Sequence, residues 1–192
     1  MQSMSLYGSE STRKLALQGA ALGIFAGLVF ACGQILVAPM LGAPSLWPVK
    51  LAASIALGKA TLAGAYSLGT IVIAGALVQV ALAAAYGAIY GVFISYRARE
   101  TRASFAREAG LGMLYGLVIW AFDFYVVAAA LFPWFLEASP LGQALLHAVA
   151  YGLPLGVLCG AATRRLGAPT LRVYSSAAHR PAHASPPRRR VH

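Results

Sequence analysis

Charged residues are scarce in this chain, and their scarcity excludes most classes of soluble protein. Only 10% of the 192 residues are charged, and Asp and Glu together number five. Hydrophobic residues make up 59% of the sequence, and the mean hydropathy is +0.71. Soluble globular domains typically carry about 25% charged residues. The composition therefore indicates an integral membrane protein rather than a soluble fold of this length.

Cysteine is also scarce, and the motifs of common enzyme classes are missing. Cys32 and Cys159 make neither a disulfide framework nor a metal-binding pattern, so we interpret both as small buried hydrophobic residues. The sequence has no Ser-His-Asp order, nucleophile elbow, HExxH motif or phosphate-binding loop. These absences argue against an enzyme. An enzyme acting on lipid therefore ranks below a non-catalytic subunit and below a transporter or channel.

Four long apolar stretches are present instead. A bilayer core about 30 Å thick requires about 20 apolar residues per helix, and the sequence predicts spans over residues 15–38, 70–95, 109–132 and 142–162. Each span has glycines four residues apart, which share a helix face and permit close backbone approach. These predicted packing glycines are Gly19, Gly23, Gly27, Gly87, Gly91, Gly112, Gly116, Gly152, Gly156 and Gly160. The predicted fold is an all-α integral membrane protein, a bundle of four transmembrane helices.

A short helix is predicted between the first two spans. Pro39, Pro44 and Pro48 interrupt the chain after the first span, and residues 47–57 then read as a short amphiphilic helix closed by Gly58. An apolar run of this length is too short to cross a bilayer. We therefore expect an interfacial or re-entrant segment.

The basic residues are distributed asymmetrically. Of the 15 Lys and Arg residues, all except Lys50 and Lys59 fall in segments that the four-span prediction places on one side of the membrane. The positive-inside rule assigns that side to the cytoplasm. We expect a multi-pass protein of the bacterial inner (cytoplasmic) membrane with both termini cytoplasmic. The net charge of +10 follows from this topology, and no basic stripe on a soluble domain indicates nucleic-acid binding.

Two cytoplasmic segments are expected to flank a transmembrane domain at residues 15–165. Residues 1–14 form the N-terminal segment, and residues 166–192 form a basic tail rich in Pro, Ala, His and Arg. A tail of this composition cannot bury enough apolar surface to fold alone. The stretch from Arg13 to Cys32 resembles a lipoprotein signal in outline, but its apolar run continues past Cys32 and favours an uncleaved first helix.

Polar side chains inside the spans are the candidates for function. Asp123 is a carboxylate at depth, which is rare in membrane helices, and Gln79 lies at a similar depth, about 15 Å from the outer end of its helix. His147 and Gln34 lie nearer the outer end, with Tyr125 between the two layers. The structural interpretation is an interhelical hydrogen-bond network that fixes the helix order. The alternatives are a proton or solute site centred on Asp123, and contacts with another subunit.

A haem or copper site is not expected. His147 is the only histidine in the predicted spans and provides a single axial ligand, and Cys32 is the only sulfur ligand predicted at a similar depth. One histidine and one cysteine make a poor basis for a metal site. We therefore expect no cofactor and no metal ion.

Three segments resemble a family of uncharacterised bacterial membrane proteins with four spans. They are Trp47 to Gly58, Gly116 to Trp120 with Tyr125, and Pro140-Leu141 running into His147 and the Gly152 to Gly156 segment. The resemblance covers about the first 165 residues and implies a four-span fold. The family has no settled function, so the resemblance implies nothing about activity.

The sequence favours a non-catalytic accessory or assembly subunit of a larger membrane complex, with an energy-transducing complex as one option. Its glycine faces are more numerous than one small bundle needs, which points to docking. The expected partners are the lipid bilayer and other membrane subunits or a second copy, without nucleic acid. The alternative is a small transporter or channel for protons, cations or a solute that uses Asp123, Gln79 and His147.

Overall fold

The computed structural model describes residues 3–97 and 104–164, and the predicted tail at 166–192 lies outside these residues. Five helices of 11 residues or more occur in the described part of the chain. They are α1 (Ser3–Val37), α2 (Trp47–Leu57), α3 (Leu68–Arg97), α4 (Phe105–Leu131) and α5 (Pro140–Arg164). All except α2 are long and apolar enough to cross a membrane. The all-α four-helix prediction is confirmed, including the short helix between the first two spans.

Capping residues set the ends of several helices. The Ser104 hydroxyl accepts the Arg107 backbone N–H at 3.3 Å and caps α4, and Ser139 caps α5 through Gly142 in the same way. At the end of α2, Gly58 has a φ of 82°, and its N–H bonds the Ser54 carbonyl. Only glycine adopts a positive φ without strain, so the residue type itself ends α2 here.

Helices α1 and α3 pack against each other along a face of small residues. A methyl group added at Gly19 would lie 2.8 Å from the Gly91 Cα atom, and one added at Gly23 would lie 2.7 Å from the Gly87 Cα atom. Such distances leave no room for a side chain on either helix. The hydrogen side chains of glycine therefore allow the two backbones to touch, and dispersion between them stabilises the pair.

Helices α4 and α5 form a second pair of the same kind. A methyl group added at Gly112 would lie 2.8 Å from the Gly156 Cα atom, and one added at Gly116 would meet the backbone of His147. Both glycine contacts lie on helix faces that the spacing in the sequence predicts. Each pair thus packs backbone to backbone within this chain.

The two pairs meet through α1 and α5, which gives the helix order α3–α1–α5–α4. Gly33 of α1 lies against Leu146 and Ala150 of α5. Helix α2 packs on α3, where Gly75 contacts Val49. The end of the bundle that carries α2 and the turn Pro133–Glu137 is called the α2 end below. Between α3 and α4 the contacts are made by long side chains, and this border is called the α3–α4 seam.

Large apolar side chains cover the outside of the bundle. Exposed examples occur on each of the four long helices, including Leu17, Leu77, Leu114 and Leu145. In water such a surface would be unfavourable, whereas lipid tails are as apolar as leucine. The buried core runs along the inside, around Tyr90, Leu155 and Cys159. Cys159 is buried as predicted, but Cys32 is exposed on α1, so its interpretation as a buried residue is wrong.

Candidate functional site

A partly open cavity of about 210 Å³ lies inside the bundle toward the α2 end. All five helices contribute to its wall, and so does the connection between α4 and α5. Most of the lining is apolar, with polar groups at a few points. The polar lining residues are Gln34, Gln79, Tyr86, Trp120, Asp123, Gln143 and His147.

Four of the five polar candidates predicted from the sequence line this cavity. Asp123 comes from α4, Gln79 from α3, His147 from α5 and Gln34 from α1. Each long helix therefore contributes one polar candidate side chain to the same space. Tyr125 does not reach it, because it follows Asp123 by two residues, about 200° around a helix, and its side chain is 61% exposed on the outer surface.

Asp123 is held in place across the α3–α4 seam. The Tyr86 hydroxyl of α3 donates a hydrogen bond to Oδ1 of Asp123. In the opposite direction, the Tyr115 hydroxyl of α4 donates to the Tyr86 carbonyl at 2.7 Å. A hydrogen bond to a carboxylate is stronger than one between neutral groups. These two bonds fix the position of Asp123 at the cavity wall while its side chain remains part of the lining.

His147 and the two glutamines near it are linked at the α1–α5 border. The Gln34 amide donates to Oε1 of Gln143 at 3.2 Å, and Nδ1 of His147 lies 2.7 Å from the Gln143 carbonyl. A carbonyl can only accept, so Nδ1 carries a proton, and Nε2 of the neutral ring is then an acceptor. The Phe30 ring packs edge-on against His147 with centroids 4.6 Å apart.

Gln79 binds the backbone of the neighbouring helix. Its Nε2 donates to the Gly27 carbonyl at 3.2 Å, which the close approach of α1 and α3 permits. Toward the other end of the bundle, the Tyr151 hydroxyl donates to the Ala83 carbonyl at 2.9 Å, and the Tyr115 ring packs on Tyr90. These tyrosines lie between the cavity and the end opposite α2.

Asp123 and His147 each begin a stretch of π-helix. Asp123–Ala128 in α4 and His147–Gly152 in α5 have the wider π-helical turn. Such stretches are rare and occur frequently at functional sites. In α5, Pro154 follows two residues later and lacks the N–H that a regular helix would pair with the Ala150 carbonyl, which favours a local change of pitch. The sequence prediction had regular helices at both places.

Three polar lining residues were missed by the sequence prediction, and Tyr86 and Gln143 are two of them. Tyr86 follows Gln79 by seven residues, which is close to two full helical turns, and Gln143 precedes His147 by four residues. Both spacings place the paired side chains on one helix face. A search at spacings of four and seven residues from each predicted candidate would have identified Tyr86 and Gln143.

Trp120 is a third missed residue, and it carries an unusual polar atom. It precedes Asp123 by three residues and lines the cavity. Its indole Nε1 is buried and has no hydrogen-bond partner within residues 3–97 and 104–164. Nearly all buried donors in proteins are paired, so an unpaired one needs an explanation. The indole ring packs on Phe124, with centroids 6.1 Å apart.

The described residues do not form a metal site. Among them, no group of three or more His, Cys, Asp or Glu side chains is arranged to hold a metal ion. His147 is their only histidine, and the exposed Cys32 points away from the bundle interior. The expectation that the protein has no cofactor stays a prediction.

Comparisons with other proteins leave the function to be argued from the cavity. No family model, curated protein or solved structure matches the chain. The resemblance to an uncharacterised four-span family therefore stays a prediction. The structure is an all-α bundle with four helices long and apolar enough to cross a membrane, and a cavity lined by one polar candidate from each.

Proposed function

We propose that the protein is a small transporter or channel and that the cavity at Asp123 is its site for a cation or polar solute. One observation carries the proposal: polar candidates from four separate helices converge on a single cavity within a mostly apolar bundle. Ionisable side chains at membrane depth are costly and typically line pathways for ions or solutes. A binding pocket between the helices of a bundle is also a common place for ligands.

A purely structural network explains only part of the lining. Gln34 and Gln79 each make an interhelical hydrogen bond, as structural residues would. Asp123, however, accepts from a neutral tyrosine and stands among apolar side chains. A carboxylate in such surroundings requires a proton or a cation to compensate its charge. The cavity provides the space in which the compensating proton or cation can bind and dissociate.

The accessory-subunit function stays a prediction, although its principal support is weaker than the sequence indicated. That support was a surplus of glycine faces available for docking. In the structure, the glycines of α1 and α3 contact each other, as do those of α4 and α5. The internal packing of one chain therefore accounts for the glycine spacing without a partner.

We also propose a bacterial inner-membrane location with both termini in the cytoplasm. The asymmetric distribution of Lys and Arg supports this orientation. In that orientation the α2 end faces the periplasm. The cavity would then open nearer the periplasm, with the layer of tyrosines on its cytoplasmic side.

Transport can be tested with purified protein in liposomes. We expect solid-supported membrane electrophysiology to record charge movement with at least one solute from a panel of protons, Na⁺, K⁺ and small organic ammonium ions. Asp123→Asn keeps the size of the side chain but removes its charge, so it should reduce the current at least tenfold. Glu137→Gln, an exposed carboxylate on the α4–α5 connection, is the matched control and should retain it.

Two results would overturn the proposal. One is the absence of current for every solute when the protein is monodisperse and correctly inserted. The other is an undiminished current in Asp123→Asn. Retained assembly of Asp123→Asn, checked by size-exclusion chromatography, separates lost transport from lost folding.

A further inference from the structure

We infer that the solute is a protonated organic amine with a small aromatic or aliphatic body, whose ammonium group binds at Asp123. The inference depends on the proposed function only in treating the cavity as a solute site. It is supported by the charge of the lining, by its hydrogen-bonding groups, by its aromatic walls and by its size.

The charge of the cavity selects for a cation. Asp123 is the only carboxylate in its described lining, which contains no Lys or Arg. An anion would meet an uncompensated negative charge in apolar surroundings. A neutral solute would displace water and leave the carboxylate unpaired, which is also costly. A bound ammonium group supplies the missing charge directly.

The free hydrogen-bonding groups of the cavity include acceptors that suit an ammonium group. Asp123 has a second oxygen besides the one bonded to Tyr86, and Nε2 of His147 is an acceptor when the ring is neutral with its proton on Nδ1. A primary ammonium carries three N–H donors and no acceptor. The two acceptors come from α4 and α5, and both residues line the same cavity.

The aromatic lining favours an organic cation over a metal ion. Ca²⁺ requires six to eight oxygen ligands, and Mg²⁺ keeps much of its water. A mostly apolar wall cannot replace a hydration shell of that kind. Aromatic faces attract organic ammonium ions through the negative charge of their π-systems. Six aromatic side chains line the cavity, namely Phe30, Tyr86, Trp120, Phe124, Phe132 and Phe135.

The volume sets the size of the amine. A cavity of about 210 Å³ has space for about seven waters at liquid density, where each occupies roughly 30 Å³. A small amine of comparable bulk fits within this volume. Benzylammonium combines a single ammonium group with one aromatic ring at this size.

The test compares three ligands of nearly equal shape and different charge. Benzylammonium, neutral benzyl alcohol and anionic benzoate are titrated into the purified full-length protein by calorimetry, with empty detergent micelles as the blank. We expect benzylammonium to bind at least tenfold more tightly than benzyl alcohol, and benzoate no more tightly than the alcohol. Asp123→Asn should lower the affinity for benzylammonium at least tenfold and bring it to the level of the alcohol.

A matched control distinguishes the cavity carboxylate from buried charge in general. Glu108 is also buried in α4, but it packs against Gly160 toward the other end and does not line the cavity. Glu108→Gln should leave the affinity for benzylammonium within twofold of wild type. Phe124→Leu keeps the cavity apolar but removes one aromatic face, and it should weaken benzylammonium threefold or more while changing benzyl alcohol less.

The outcomes separate the ligand class from transport. Equal affinity for benzylammonium and benzyl alcohol, tighter binding of benzoate, or no binding of benzylammonium to wild type would each overturn the inference. This comparison within the wild-type protein holds even if Asp123→Asn does not fold. Transport of Na⁺ or K⁺ without amine binding would refute the amine and leave the transport proposal standing. Amine binding without any current would refute the transport proposal and leave the amine as the ligand of the cavity.

Discussion

The hydrogen bond between Tyr86 and Asp123 joins α3 to α4 at the cavity wall. Neither residue would be placed there by helix packing alone, because the glycine contacts bring α3 to α1 and α4 to α5. The bond therefore holds the α3–α4 seam in register. The Tyr115 hydroxyl supports it by binding the Tyr86 carbonyl.

Removing the Tyr86 hydroxyl should weaken the bundle. Interhelical hydrogen bonds in membranes contribute about 0.6 kcal/mol on average and rarely more than about 2 kcal/mol. Because this bond is to a carboxylate, we expect Tyr86→Phe to lower the free energy of unfolding by about 1–2 kcal/mol. SDS-induced unfolding measures the change. Tyr96→Phe is the matched control, since Tyr96 is 75% exposed, and an equal effect of both variants would contradict the expectation.

The sequence located the polar candidates by depth but not by helix face. Asp123 and Gln79 stand out because a polar side chain in an apolar run is costly wherever it points. Depth alone also selected Tyr125, which faces outward. Tyr86 was passed over because tyrosine combines an apolar ring with one hydroxyl and is unremarkable in a membrane helix. The face of each helix becomes known only when its neighbours are placed.

Glycine spacing predicts which face of a helix packs but not which helix it meets. The i, i+4 glycines of α4 face α5, and those of α1 face α3, and the sequence alone allows other pairings. The π-helical stretches at Asp123 and His147 were also not predictable, because no local residue pattern specifies them uniquely. The bounds of α2 were predicted closely, since Pro48 and Gly58 mark its ends.

Two glycines of α4 should respond to alanine in opposite directions. A methyl group at Gly112 would lie 2.8 Å from the Gly156 Cα atom, whereas one at Gly110 meets nothing within 4 Å. We expect Gly112→Ala to lower the free energy of unfolding by about 1–3 kcal/mol, the cost of overpacking. Gly110→Ala should raise it by up to about 1 kcal/mol, because alanine restricts the unfolded chain.

The same SDS unfolding measurement applies to both glycine variants. Their separation by only two residues on one helix makes each the control for the other. A decrease of similar size in both would show that contact with α5 does not determine the effect.

The orientation of the whole molecule is testable by labelling. In a background with Cys32 and Cys159 replaced, single cysteines at Ser104 and Ser139 should react with a membrane-impermeant maleimide from opposite sides. Both positions are exposed at helix ends, one at each end of the bundle. The positive-inside rule predicts that the Ser139 position reacts in intact cells and the Ser104 position only after lysis. Reaction of both in intact cells would refute the four-span orientation.

At the scale of the molecule, the sequence predicted the number of spans and the short α2, because both depend on length and hydropathy. It did not predict the helix order or the cavity. Those depend on which faces meet and on the connection between α4 and α5, where the Trp134 indole donates to the Ser54 hydroxyl at 2.9 Å and ties that connection to α2. Trp134 and Ser54 are 80 residues apart in the chain, so no local sequence pattern indicates their contact.

In the proposed membrane location, the cavity wall at α3 would adjoin the lipid tails. Leu82 of this wall lines the cavity and is also 40% exposed, so it would lie at the border between the cavity and the hydrocarbon. A compound dissolved in the bilayer would meet the cavity through this border without passing α2. Uptake of a series of amines would then rise with their partition coefficients between lipid and water, and the concentration that governs loading would be that in the membrane.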